Sequence, residues 1–122
     1  MLVDENRKGW ALRYLREAID EIKIAKRNRR AADLIFDAVR KAQAAVYYSL
    51  GEPTFIDYIV NEMLEGKLLI GNPILRFLVE IEKSINRLEN MEQTFEDELI
   101  MRESDRIVSI ASKIVNLLTS ED

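Results

Sequence analysis

The chain has 122 residues and neither cysteine nor histidine, so it has the size of one domain and cannot by itself build disulfides, thiolate metal sites, cysteine nucleophiles or imidazole chemistry. Its net charge of −4 hides an asymmetry: residues 1–50 carry 11 Lys and Arg against 7 Asp and Glu, and residues 51–122 carry 7 against 15. A basic half and an acidic half can attract each other within one molecule or between two copies.

The segment after Met1 is charged at once by Asp4, Glu5, Arg7 and Lys8, and no apolar run approaches the ~18 residues of a membrane span. The expectation is one soluble, cytoplasmic domain over residues 1–122, without membrane contact. The 33% of charged residues and the abundant isoleucine resemble proteins of hot environments, where ion-pair networks gain value.

Apolar residues recur at helical spacing almost throughout. A first helix is expected from Asp4 or Glu5 to Arg27, with Ala11, Leu15, Ala18, Ile22 and Ala25 as its stripe. A second runs from Arg29 or Arg30 to Leu50, along Leu34, Ile35, Ala38, Val39, Ala42, Ala45 and Val46. Gly51 then offers a left-handed residue to end it, and Pro53 blocks continuation. A short third helix fits Thr54 to Glu65, with Phe55, Ile59, Val60 and Met63 inward and Gly66 at its end. Lys67 to Asn72 reads as an apolar loop.

Asn72-Pro73 reads as an N-cap followed by proline at the first helical position. The fourth helix carries Ile74, Phe77, Leu78, Ile81, Ile85 and Leu88. Thr94 opens a capping-box-like Thr-Phe-Glu-Asp, and the fifth helix presents Leu99, Ile107, Ile110, Ala111, Ile114, Leu117 and Leu118. No segment alternates as a strand does. The predicted fold is all-α: an up-and-down bundle of five helices, four long and one short.

The most chemically suggestive stretch is KIAKRNRRAAD, which holds Lys23, Lys26, Arg27, Arg29 and Arg30. Two readings stand. In one, Lys23, Lys26 and Arg27 complement the dipole at the end of the first helix, and the run is a solvated corner. In the other it is a patch that meets phosphates or an acidic partner, joined by Arg7, Lys8, Arg40 and Lys41 if the fold brings them close.

Tyr47 and Tyr48 end an alanine-rich helix, either with hydroxyls at the surface or as an aromatic lining for a base. The carboxylates Glu80, Glu82, Glu89, Glu92 and Glu96 to Glu98 read as a solvated face, because a di-metal bundle would pair glutamates with histidines. Arg102, Glu103, Asp105 and Arg106 read as a mixed surface or an inter-helix ion network. No catalytic constellation, cofactor site or metal site is expected.

The order of elements, ALRYLREAIDEIKIAK followed by ADLIFDAVRKAQAAVYYSLG, the break at Leu50-Gly51-Glu52, a short helix and two longer ones, resembles the HEPN family of α-bundles. That resemblance implies a dimer and, in active members, an arginine followed after four to six residues by histidine in the dimer cleft. Arg76 lies where that arginine would be sought, but no histidine can follow it. The resemblance therefore implies a non-catalytic member that binds nucleotide, RNA or another protein.

The functional expectation is a non-enzymatic helical binding or interaction module, homodimeric and HEPN-like. The alternative is an RNA- or nucleotide-binding domain using the patch from Lys23 to Arg30. Self-association is expected because Trp10, Tyr14, Tyr48, Ile56, Leu68, Leu69, Ile70, Ile100 and Val115 fall outside the predicted stripes and call for cover. The second or fifth helix is the expected contact.

Overall fold

Five helices account for the fold: α1 (Glu5–Arg27), α2 (Ala32–Leu50), α3 (Pro53–Leu64), α4 (Pro73–Met91) and α5 (Asp97–Thr119). They are seen in a computed structural model that describes residues 5–28, 32–68, 71–91 and 97–120, and the described residues form no strand. The all-α bundle expected from the periodicity is the architecture observed. The expected helix starts at Arg29 and Arg30, the capping box at Thr94 and the side chains of Asp33 and Leu88 lie outside the described residues.

The breaks are set by local chemistry. Asn72 caps α4 as its position before proline predicts: its Oδ1 accepts from the backbone N–H of Ile74 at 2.8 Å and of Leu75 at 3.2 Å. Pro53 does more than stop α2. It occupies the first turn of α3, whose N-cap is Glu52, with Oε2 accepting from the N–H groups of Thr54 and Phe55 at 3.0 and 3.3 Å.

Gly66 ends α3 with φ of 76°, and the N–H of Lys67 reaches the carbonyl of Glu62 at 2.9 Å while that of Gly66 reaches Met63 at 3.1 Å, a Schellman closure. Gly51 departs from expectation, because its φ is not positive. Nor does crowding call for glycine: a Cβ there would meet Ile56 Cδ1 at 3.4 Å and Arg7 Nη1 at 3.6 Å, ordinary contact distances.

α2 is the central element and contacts each of the other four helices. α1, α2 and α5 pack closely on one another, α4 lies more loosely against α2 and α5, and α1 and α4 do not meet among the described residues. The closest-packed helices bury small residues, namely Ala11, Ala18 and Ala25 of α1, Ala38, Ala42 and Ala45 of α2, and Ser104 and Ala111 of α5. Small side chains let helix axes approach. α4 contributes bulk instead, with Leu78, Ile81 and Ile85 buried.

Polar links mark the seams. Lys41 of α2 pairs with Glu17 and Glu21 of α1; Arg40 of α2 pairs with Glu82 and Glu89 of α4; Ser84 of α4 donates to Glu103 of α5 at 3.5 Å.

The stripes of α1 and α2 are buried as read, except that Leu34 is only half-buried. Two registers differ. In α3 Val60 is buried as read, but its buried partner is Ile56, and Phe55 is 60% exposed. In α5 Ile107 and Ala111 are buried as read, but the buried series is Ile100, Ser104, Ile107, Val108, Ala111, Val115 and Thr119, so the helix is rotated and Leu99 and Leu117 face outward. The chosen face of α5 contains the two small residues, Ser104 and Ala111, that permit its close approach. Its buried Thr119 hydroxyl donates to the Val115 carbonyl at 2.7 Å, which removes the cost of burying it.

Candidate anion-binding groove between α1 and α5

Cations gather near the C-terminus of α1, where the helix dipole favours them. Ile19, Ile22, Lys23 and Lys26 follow one another at the spacing of a single helix flank, and that flank faces α5. Asp105, Val108, Ser109, Ser112 and Lys113 of α5 face it in return. The two sets enclose an open groove of about 320 Å³. Its floor is apolar, with Ile22 and Val108 buried and Ile19 half-buried.

At one end Lys26 Nζ lies 3.0 Å from Asp105 Oδ1, and both side chains are half exposed. Lys23 and Lys113 pair with no carboxylate among the described residues. Asn116 Nδ2 donates to Ser112 Oγ at 3.5 Å, leaving the Ser112 proton free to be donated. The groove therefore presents ammonium and hydroxyl donors above an aliphatic floor, an arrangement that binds and orients an anion.

The five-residue basic run divides. Lys23 and Lys26 line the groove. Arg27 is exposed at the last position of α1, outside the lining, and Arg29 and Arg30 lie outside the described residues. The other cations do not join them. Arg7 and Lys8 sit at the opposite end of α1, more than about 20 Å away at 1.5 Å per residue. Arg40 holds Glu82 and Glu89 at 3.1 and 3.2 Å, and Lys41 is held among Glu17, Glu21 and Asp37.

Val108, Ser109, Ser112 and Lys113 are the lining residues that sequence reasoning missed; of these, Ser109, Ser112 and Lys113 are polar. Read on the face through Val108, they are the polar positions flanking the buried stripe of α5, four residues apart from Asp105 to Ser109 to Lys113.

Other sequence candidates resolve differently. Glu82 is not a solvated carboxylate: its side chain is largely covered in the α2–α4 seam and accepts from Arg40 and from Gln43 Nε2 at 3.0 Å. Glu80 is exposed and pairs with Lys83, and Glu92 and Glu96 lie outside the described residues.

The Tyr47 hydroxyl does not reach the surface. It is buried, accepts from Gln43 Nε2 at 3.4 Å, and burial holds its acidity well below that of an ordinary tyrosine. Tyr48 stacks against Tyr14 and Trp10 with ring centroids 5.7 and 6.3 Å away. The guanidinium of Arg13 lies 5.3 Å above the Trp10 ring, so this aromatic group is satisfied within the chain. The ion network near Arg102 is real but differently paired, with Arg102 on Glu98 and Arg106 on Glu103.

Among the described residues no cluster of three or more Asp or Glu has the arrangement of a metal site, and no helix is long and apolar enough to cross a membrane. Comparison with family models, with curated proteins and with solved structures finds no match to this chain.

Proposed function

We propose that this chain is a non-enzymatic helical binding module that works as a homodimer and holds an anionic, phosphate-bearing ligand in the α1–α5 groove. The observation that carries this reading is that Lys23 and Lys26 line one hollow with Lys113 across it, two of the three lysines having no carboxylate partner among the described residues. Lysines on both walls of a hollow with an apolar floor favour an anion over a neutral ligand, because charge-assisted hydrogen bonds are about twice as strong as neutral ones.

The reading keeps part of the basic run in use and extends it to α5. The helix order and the alanine- and tyrosine-rich α2 support a non-catalytic HEPN-like assignment within it. The test is a titration of the protein with inorganic phosphate, followed by amide chemical shifts. Shifts concentrated at Lys23, Lys26, Ser109, Ser112 and Lys113, and suppressed by added salt, are the expected result. Shifts spread evenly over the surface, or none, reject the groove as a ligand site.

A further inference from the structure

The balance of charge inside the groove points to the kind of phosphate it takes. Three ammonium groups, those of Lys23, Lys26 and Lys113, face one carboxylate, that of Asp105, which leaves a formal charge of +2. A phosphate monoester carries about −1.5 to −2 at neutral pH, whereas each diester link of a nucleic-acid strand carries one negative charge. A dianionic head matches the groove's charge in one place.

Geometry argues the same way. From Ile19 to Lys26 the α1 side of the groove spans about 10 Å, room for a compact ligand. A strand continuing toward the C-terminal end of α1 would have to run past the Asp105 carboxylate. Asp105 already sits 3.0 Å from Lys26, where it stands as a counter-ion that a stronger anion can displace. The floor of Ile19, Ile22 and Val108 offers an aliphatic surface to the body that carries the phosphate.

We infer that the groove is a site for a small phosphate monoester with an apolar or aromatic body, with Lys23, Lys113 and Lys26 on the phosphate, Ser109 and Ser112 as hydroxyl donors, and Asp105 as the displaceable resident anion. This rests on the anion-binding reading above, and the experiment separates the two.

Isothermal titration of the full chain with 1-naphthyl phosphate, with 1-naphthyl sulfate and with an octaribonucleotide lacking terminal phosphates tests it. The sulfate has the same body and a single charge. The expected result is binding of the phosphate about tenfold tighter than the sulfate and tighter than the oligonucleotide. That binding should be lost in the Lys23→Ala/Lys113→Ala variant, which keeps its helical circular dichroism, and strengthened in Asp105→Asn.

Equal affinity for phosphate and sulfate overturns the monoester assignment while the response to inorganic phosphate still supports an anion groove. Preference for the oligonucleotide overturns it in favour of a diester strand. Binding that persists in the double lysine variant places the site elsewhere and overturns it. Absence of binding together with a silent inorganic-phosphate titration removes both readings.

Discussion

Glu21 is a carboxylate at a position that its helix buries. It is 9% exposed, on the flank of α1 against α2. Its Oε1 contacts Lys41, whose ammonium also lies 3.1 Å from Glu17 Oε1 and 3.1 Å from Asp37 Oδ2. One cation thus serves three carboxylates. With Glu21 ionised, its other oxygen is buried with no donor among the described residues, which costs desolvation energy.

Burial first, and the adjacent Asp37 second, hold the Glu21 carboxyl above its ordinary value of 4.5; the hydrogen bond with Glu21 holds Asp37 below 3.8. The signs then differ. Glu21 stabilises the fold fully below 4.5, and that contribution is lost as pH rises through its raised value. Asp37 and Glu17, which Lys41 and Arg13 hold low, act oppositely and lose their contribution only on acidification through their lowered values.

Glu21→Gln keeps an oxygen for Lys41 and offers an N–H toward Asp37. We predict that it unfolds at a higher temperature than the parent at pH 7, with the gap closing toward pH 4.5. Parallel melting profiles for the two proteins across that range would show that Glu21 holds no extra proton.

At the scale of the element, the legible parts were those with one available solution. The Ala11, Leu15, Ala18, Ile22, Ala25 stripe of α1 is the only apolar stripe that helix has, and Asn72-Pro73 can do little but open a helix. α3 and α5 each have two apolar ridges, and periodicity cannot choose between them. α3 could bury Phe55 with Ile59 or Ile56 with Val60. α5 could bury Leu99, Ile110, Ile114 and Leu117 or Ile100, Ile107, Val108, Ala111 and Val115. The choice is made by packing on neighbours: α3, set against α2 and α4, turns Ile56 and Val60 inward, and α5 turns the ridge containing Ser104 and Ala111 inward.

The groove was half legible for the same reason. Lys23 and Lys26 stand out in a cation run, but Lys113 is some ninety residues away in sequence and joins them only through the packing of α5 on α1. The register of α3 is testable by urea denaturation. Ile56→Ala is expected to lose about 2–4 kcal/mol as a buried large-to-small change, and Phe55→Ala less than about 0.5 kcal/mol as an exposed one. The reverse order would mean that α3 packs on its other ridge.

At the scale of the whole molecule, the case for a second copy changes its footing. Of the apolar residues that called for cover, Ile56, Ile100 and Val115 are buried within the protomer, and Trp10, Tyr14 and Tyr48 stack on one another. Leu69 and Ile70 lie outside the described residues. Leu68 stays exposed after α3, and outward on α5 are Leu99 near its start and a ridge at i, i+4 and i+7: Ile110 and Ile114, both half-buried, and Leu117, 72% exposed. α2 is surrounded by the other four helices, so its apolar surface is used inside the protomer and α5 is the better contact.

Ile110 and Ile114 border the buried stripe of α5 on the side away from Asp105 and Ser109, whereas Leu117 stands one turn beyond Lys113 on the groove's own row, so a pairing that includes Leu117 borders the Lys113 end of the groove. A two-fold pairing of the ridge with its own copy closes on itself and leaves no sticky surface. We predict that sedimentation equilibrium at micromolar concentration gives a mass near twice 14.2 kDa and that Leu117→Glu returns it to the single-chain value, because an isologous contact would bury that carboxylate twice. A parent mass near 14.2 kDa that does not rise with concentration rejects the dimer. A dimer that survives Leu117→Glu but dissociates in Phe55→Glu moves the contact to α3, where Phe55 and Tyr58 are the exposed pair.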